Sequence, residues 1–394
     1  MPDAPAQPSP QPQAADPPDG ASAQRRGKRG NRSGWSTGAC AAAAATAAAQ
    51  GLATGAVPQQ ITILLPEGRR PVFPVAESSL VDGVAHAVVV KDAGDDPDVT
   101  NGARIAVQVR TLPDAAGTVR LLGGVGIGRV TRAGLGLPVG EAAINPGPRA
   151  YIESNLRAAA PALLSRVGLE ATLSIADGEI LARRTLNARL GILGGLSILG
   201  TTGVVYPYST ASFKATVRQG VQVAVAQGER AVCFTTGRRT ERYCMETLPD
   251  LHEVCFVQMG DFVGAALDAA RDAARQGRLD RVLVGGMAGK LAKMAQGLRV
   301  THARKAPIDM ARLAELAAHC GATRDLCRRI QEGDTARWVA ELAAEAGLSA
   351  RFHQALVEAA ARALARGLAA GTALEVIAFS PEGALLSRTE TQVG

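Results

Sequence analysis

The acidic run VVVKDAGDDPDVTNG, residues 88–102, places Asp92, Asp95, Asp96 and Asp98 within seven residues of one another, directly after an apolar segment. Carboxylates this close repel unless a cation or a shared proton relieves them, so the run can hold a base with a raised pKa or a transient cation. An Asx-rich turn that caps a helix is the alternative. A calcium loop is excluded, because its alternating ligands and closing bidentate Glu are missing.

Two glycine-rich stretches are the next candidates. In LLGGVGIGRVTRAGLGLPVGEAAINPGPR, residues 121–149, Gly124, Gly126 and Gly128 alternate and RVTR continues as strand. A dinucleotide fingerprint needs a helix right after its glycines, so a period of two argues against one. A strand with glycines on one face admits a flat ligand or another backbone, and Arg129, Arg132 and Arg149 are near enough in sequence to meet carboxylates. TLNARLGILGGLSILGTTGVVYPYS, residues 185–209, sets five glycines among leucines and isoleucines. Glycine is costly in helix and strand alike, so something must approach this backbone closely.

In the second half, AVCFTTGRRTE, CFVQMGDF and VLVGGMAGK each read strand, glycine, helix. That pattern puts Gly237, Gly260, Gly285, Gly286 and Gly289 at the carboxyl ends of parallel strands, where open α/β sheets bind ligands, and Asp261 is placed to accept hydrogen bonds from a ribose. Ordinary turns are the alternative reading of these glycines. GGMAGK lacks the phosphate-loop spacing, with Leu291 where the hydroxyl would stand. His86, His252, His302, His319 and His353 are scattered singly, no Ser or Cys sits in a nucleophile motif, and the six cysteines show no zinc-like spacing. Without a secretory h-region, the cysteines are expected to be reduced and the protein cytoplasmic.

The elements that must position these residues change character along the chain. Residues 1–33, rich in Pro, Ala and Gln and ending in a basic cluster, are expected to be a disordered tail. GWSTGACAAAAATAAAQG predicts a helix capped by Ser36 or Thr37 and ended at Gly51. ITILLPEGRRPVFPV reads as a hairpin, AHAVVV and ARIAVQV as buried strands, and ATLSIADGEILAR as a hairpin around Asp177-Gly178. From residue 228 short apolar runs alternate with helices, which predicts a parallel, doubly wound sheet. The expected fold is α/β: a mixed α+β two-layer domain over 34–227, then a Rossmann-like parallel-sheet domain over 228–394.

Composition narrows the function. The 394 residues are 47% hydrophobic but only 3% aromatic, so base stacking on aromatic platforms and nucleic-acid binding are not expected. The net charge of +7 suits an acidic small substrate as well as nucleic acid. No apolar run is long enough to span a membrane. Ala-rich helices with small faces can pack between subunits as a homo-oligomer.

GWSTGACAAAAA, VKDAGDDPDVT, GVGIGRVTRAGLGLPVGEAAINPGPR, TLNARLGILGGLSILGTTGVVYPYS and GKLAKMAQG, in this order and spacing, resemble the cobalt-precorrin-5B C1-methyltransferase family of cobalamin biosynthesis. The resemblance covers residues 33–390. It implies transfer of a methyl group from S-adenosylmethionine to C1 of a tetrapyrrole, with no protein-bound metal and with other corrin-pathway enzymes as partners; a non-catalytic tetrapyrrole carrier is the alternative. STASFKATVRQ, after VVYPYS, departs from the family pattern at residues 209–219. Under this reading Gly194, Gly195, Gly200 and Gly203 line a flat macrocycle, and Thr201 and Thr202 donate hydrogen bonds to it. Arg129, Arg149, Arg189 and Lys214 pair with its carboxylates, and Asp95 or Asp96 removes a ring proton. Thr236, Gly237, Asp261, Gly285 and Gly286 are then expected to hold the methyl donor.

Overall fold

A computed structural model describes residues 32–302 and 307–394. The tail expected over 1–33 lies outside the described residues, apart from its last two positions.

After a two-residue strand, β1 (Gly34–Trp35), the Ala-rich segment forms α1 (Thr37–Thr54). Ser36 caps it, its Oγ accepting from the Ala39 N–H at 3.1 Å. The stop expected at Gly51 comes one turn later. Gly55 ends the helix in the left-handed region at φ 84°, and its N–H reaches the Gly51 carbonyl at 2.9 Å.

Then follow β2 (Gln60–Thr62), β3 (Val72–Pro74), β4 (Glu77–Val81), β5 (Val84–Val90), β6 (Arg104–Leu112), β7 (Val119–Gly123) and β8 (Arg129–Val130). Next come α2 (Pro146–Ala159), α3 (Pro161–Leu164), β9 (Gly168–Ile175), α4 (Gly178–Ala182), β10 (Ile192–Leu193), β11 (Val204–Val205) and α5 (Thr210–Ala226). β2 and β3 pair as the expected antiparallel hairpin.

The first large sheet has the order β4-β5-β6-β9-β7, antiparallel except for the β7–β9 pair. Ala85, Ala87, Val89, Ile105, Val107 and Val109 share a core with α1, whose residues Ala39 to Ala45 are all 0% exposed. The methyl side chains let this helix lie close to both the sheet and α2. No hairpin forms at Asp177-Gly178. β9 already has β6 on one edge and β7 on the other, so its continuation turns into the short α4 instead. Residues 124–128 are not continuous strand either: Gly126, at φ 72°, turns the chain between β7 and β8.

The second half contains β12 (Ala231–Thr235), α6 (Arg238–Thr247), β13 (Phe256–Gln258), α7 (Val263–Arg275), β14 (Arg281–Met287) and α8 (Ala288–Ala295). It ends with α9 (Met310–His319), α10 (Arg324–Gln331), α11 (Ala336–Glu345), α12 (Ser349–Ala365), β15 (Ala373–Phe379) and β16 (Leu385–Gln392). Its sheet has the order β13-β12-β14-β15-β16, with the first four strands parallel and β16 antiparallel at the edge. One face carries the larger core, to which α7, α8 and α12 contribute. Tyr243 and Cys244 of α6 pack on the other face with Leu283 and Phe379.

Val217, Val221 and Ala224 of α5 are buried in this second core, although α5 precedes the boundary expected at residue 228. No helix among the described residues is long and apolar enough to cross a membrane.

Candidate active site

A cavity of about 260 Å³ lies between the start of α1, the loop after β5, the 185–199 segment and α5. Seven leucine and isoleucine side chains form much of its wall, among them Leu135, Leu186, Leu190 and Leu196. Thr37, Thr100, Asn145, Asn187 and Ser197 add neutral polar groups, and Lys91 and Asp98 are the charged residues lining it.

Lys91 Nζ donates to Asp98 Oδ2 at 2.6 Å, with the lysine side chain 1% exposed and the aspartate 25%. Asp98 Oδ1 accepts from both the N–H and the hydroxyl of Thr100, each at 2.7 Å. Burial alone pushes the Asp98 carboxyl upward. The Lys91 ammonium and the Thr100 donors outweigh it and hold the group below the usual carboxylate range.

Asp95 and Asp96 do not line this cavity. Asp95 accepts from the Arg32 N–H at 2.8 Å, and Asp96 accepts from the Tyr208 N–H at 2.8 Å, so each ties a neighbouring chain segment in place. Asp92 takes the Arg32 guanidinium, whose hydrogen bond holds its carboxyl below the ordinary range.

The glycines of 185–209 answer mostly to the protein's own chain. A Cβ on Gly195 would come within 3.0 Å of the Gly126 backbone, on Gly200 within 3.0 Å of the Ser36 side chain, and on Gly203 within 3.0 Å of Leu65. At these three positions protein atoms fill the space a Cβ would take. Gly194 differs, since a Cβ there would meet nothing within 4 Å. Thr202 Oγ1 accepts from the Val204 N–H at 3.3 Å, and Thr201 packs beside Gly147.

The cationic candidates are likewise engaged. Arg129 donates to the Gly140 carbonyl, and Arg149 stands 3.8 Å from Glu141. Lys214 on α5 lies 6.0 Å from the Phe262 ring centre. Arg189 pairs with the buried Glu241 of α6 and donates to the Phe256 carbonyl on the edge strand β13 at 3.0 Å. It thus pins the 185–190 loop to the second sheet and covers part of that sheet's free edge.

At the carboxyl ends of the parallel strands, numbering within the second sheet gives the order 2-1-3-4-5. The switch point of such a sheet lies between its first and third strands, here β12 and β14. Thr236 and Gly237 follow β12, and Gly289 lies in the first turn of α8 after β14. A Cβ on Gly237 or Gly289 would meet nothing within 4 Å. Thr235, 0% exposed at the end of β12, has a hydroxyl without a partner among the described residues.

Gly285 and Gly286 do not open toward this crevice. A Cβ on Gly285 would collide with Cys244 Sγ, and one on Gly286 would stand 3.0 Å from Leu291, so these glycines seat α6 and α8 on β14. Asp261 follows β13, and its Oδ1 already pairs with Lys290 and accepts from the Thr301 hydroxyl at 3.2 Å. Among the described residues, no group of three or more His, Cys, Asp or Glu side chains is arranged to hold a metal.

The CbiD family model matches residues 24–207, and the model of the CbiD C-terminal domain matches residues 300–390. The chain belongs to the CbiD family. A protein of Dechloromonas aromatica named cobalt-precorrin-5B C(1)-methyltransferase is 50% identical over 378 residues, 95% of each chain. A protein of the same name from Variovorax paradoxus is 52% identical over 330 residues, covering 84% of this chain and 89% of its own. The cobalamin biosynthesis protein cbiD of Archaeoglobus fulgidus, a crystal structure, aligns at a TM-score of 0.36 and 25% identity, over 66% of this chain and 78% of that one.

Lys91 was not singled out as a site residue. Its signal was nevertheless present in the alternation: Ala85, Ala87 and Val89 face the core, and a period of two puts Lys91 on the same inward face. Asn145, Asn187 and Ser197 carry no comparable signal, because none of them lies on a helix or strand whose periodicity would turn it inward.

Proposed function

We propose that this CbiD chain transfers a methyl group from S-adenosylmethionine to C1 of cobalt-precorrin-5B, giving cobalt-precorrin-6A in cobalamin biosynthesis. The observation that carries the reading is the 50% identity, over 95% of the chain, to a relative bearing that activity's name. The cobalt belongs to the substrate. When bound, the sulfonium supplies an already activated methyl group, so no covalent enzyme nucleophile is needed.

What the chain must do is align the ring carbon, methyl and sulfur and exclude water. Positioning of this kind supplies roughly 7–11 kcal/mol of a barrier. The leucine-walled cavity is the region suited to hold part of the tetrapyrrole. The switch-point crevice is suited to the methyl donor: Gly237 and Gly289 leave its backbone open, and among the described residues the Thr235 hydroxyl has no partner. Asp98, which faces the cavity, is better placed than Asp95 or Asp96 to act on a bound ring.

The two regions belong, in this reading, to two domains. The boundary falls before α5 rather than at residue 228, which the packing of α5 in the second core supports, as does the end of the first family match at residue 207.

The test is mass spectrometry of the tetrapyrrole after incubation with methyl-labelled S-adenosylmethionine, in parallel with the cobalt and the metal-free precursor. One labelled methyl on the ring is expected. Tight tetrapyrrole binding without any methyl gain would replace this reading with that of a carrier.

A further inference from the structure

Lys91 is a buried cation whose hydrogen bonding is incomplete among the described residues. An ammonium has three N–H donors, and among the described residues its one partner is Asp98. Stability is a weak explanation for such a pair, since buried ion pairs are often matched or bettered by apolar residues of similar volume. The alternation that buries Ala85, Ala87 and Val89 would be satisfied by an apolar residue at 91. A lysine stands there instead, and it lines the largely apolar cavity, where the other polar groups apart from Asp98 are neutral.

We propose that Lys91 is the seat of a ligand carboxylate, with Asp98 taking one of its N–H donors. A carboxylate entering the cavity accepts from the N–H groups that Asp98 does not occupy. The inference rests on the methyltransferase reading, which offers two sources of this chemistry. One is an acetate or propionate side chain at the macrocycle edge, and the other is the amino-acid carboxylate of the methyl donor.

The pair gives the test an internal sign. Lys91→Met removes the attraction and should weaken binding of the carboxylate-bearing ligand by roughly 10- to 100-fold, the range of a charge-assisted hydrogen bond. Asp98→Asn removes a competing carboxylate and should leave that binding unchanged or tighter. A purely structural pair would weaken binding in both variants, in step with lost thermal stability. The double variant Lys91→Met/Asp98→Asn replaces the pair with neutral groups and serves as the folded reference should Lys91→Met alone fail to fold.

The experiment titrates full-length wild type and variants with cobalt-precorrin-5B and its peripheral methyl esters, and with S-adenosylhomocysteine and its decarboxylated analogue. Wild-type methyl transfer is recorded in parallel. If the macrocycle supplies the carboxylate, the esters bind wild type as weakly as the free acid binds Lys91→Met; if the donor does, the decarboxylated analogue behaves so. Unchanged affinity of the lysine variants for both free acids overturns the seat and leaves the methyltransferase reading standing. Lys91-dependent carboxylate binding without methyl transfer keeps the seat and overturns that reading.

Discussion

Gly195→Ala separates the two roles a glycine in the 185–209 segment can have. The new methyl would be driven into the Gly126 carbonyl, and because the obstacle is backbone, no side-chain rotation relieves it. Overpacking of this kind costs about 1–3 kcal/mol. The contact is also bracketed by two hydrogen bonds, Leu196 N–H to the Gly126 carbonyl at 2.9 Å and Gly128 N–H to the Leu196 carbonyl at 2.8 Å. Separating the two segments stretches both, each worth about 0.5–1.5 kcal/mol, so the whole cost should reach about 3 kcal/mol or more.

Gly194→Ala is the natural control. It has open space but sits at φ 79°, so only the backbone preference is lost, about 1–2 kcal/mol. The two tryptophans allow the effect to be localised, because Trp35 packs on Phe73 in the first core and Trp338 against the second. Urea unfolding followed by Trp35 emission in a Trp338→Phe background should therefore show a clear drop in midpoint for Gly195→Ala and a smaller one for Gly194→Ala. A Gly195→Ala protein with an unchanged midpoint but lost tetrapyrrole binding would refute the packing account and return this glycine to the ligand.

Gly285→Ala should destabilise the second sheet by about 1–3 kcal/mol through its collision with Cys244, and adding Cys244→Ala should recover part of that loss, read from Trp338 emission. Asp95→Asn and Asp96→Asn should leave kcat within about threefold of wild type, or roughly 0.6 kcal/mol, since neither carboxylate lines the cavity; a collapse of kcat in a folded variant would restore them as catalytic groups. The Asp98 carboxyl is held below its usual range in the folded protein, so its stabilisation is present above an unfolded pKa of about 4 and is lost as the pH falls through the lower folded value. The urea midpoints of wild type and Asp98→Asn should accordingly differ at pH 7 and converge on acidification below that point, and a gap independent of pH would remove the ion pair as its cause.

Much of the architecture was legible because it is written at short range. The alanine run, the period-two strands β5 and β6, and the repeated strand, glycine, helix units of the second half are local patterns, and each forms its element. Even the buried Lys91 lies on a readable alternation. The failures at short range had local causes too: Gly51 gave way to Gly55 as the helix stop, and the hairpin expected after Ile175 had no free strand edge to use.

The order of motifs along the chain sufficed by itself to place it in its family, because that order is a property of the sequence alone. A glycine, by contrast, announces that something approaches closely without saying what. Only the tertiary structure decided that Gly126 meets Gly195, that Gly200 meets Ser36 and that Gly285 makes room for Cys244, pairings that span up to 164 positions in the numbering. The same holds within the acidic run. Four neighbouring aspartates look alike in sequence, and which one faces a cavity depends on a lysine brought inward by the sheet and on a helix, a loop and a second core that close around it.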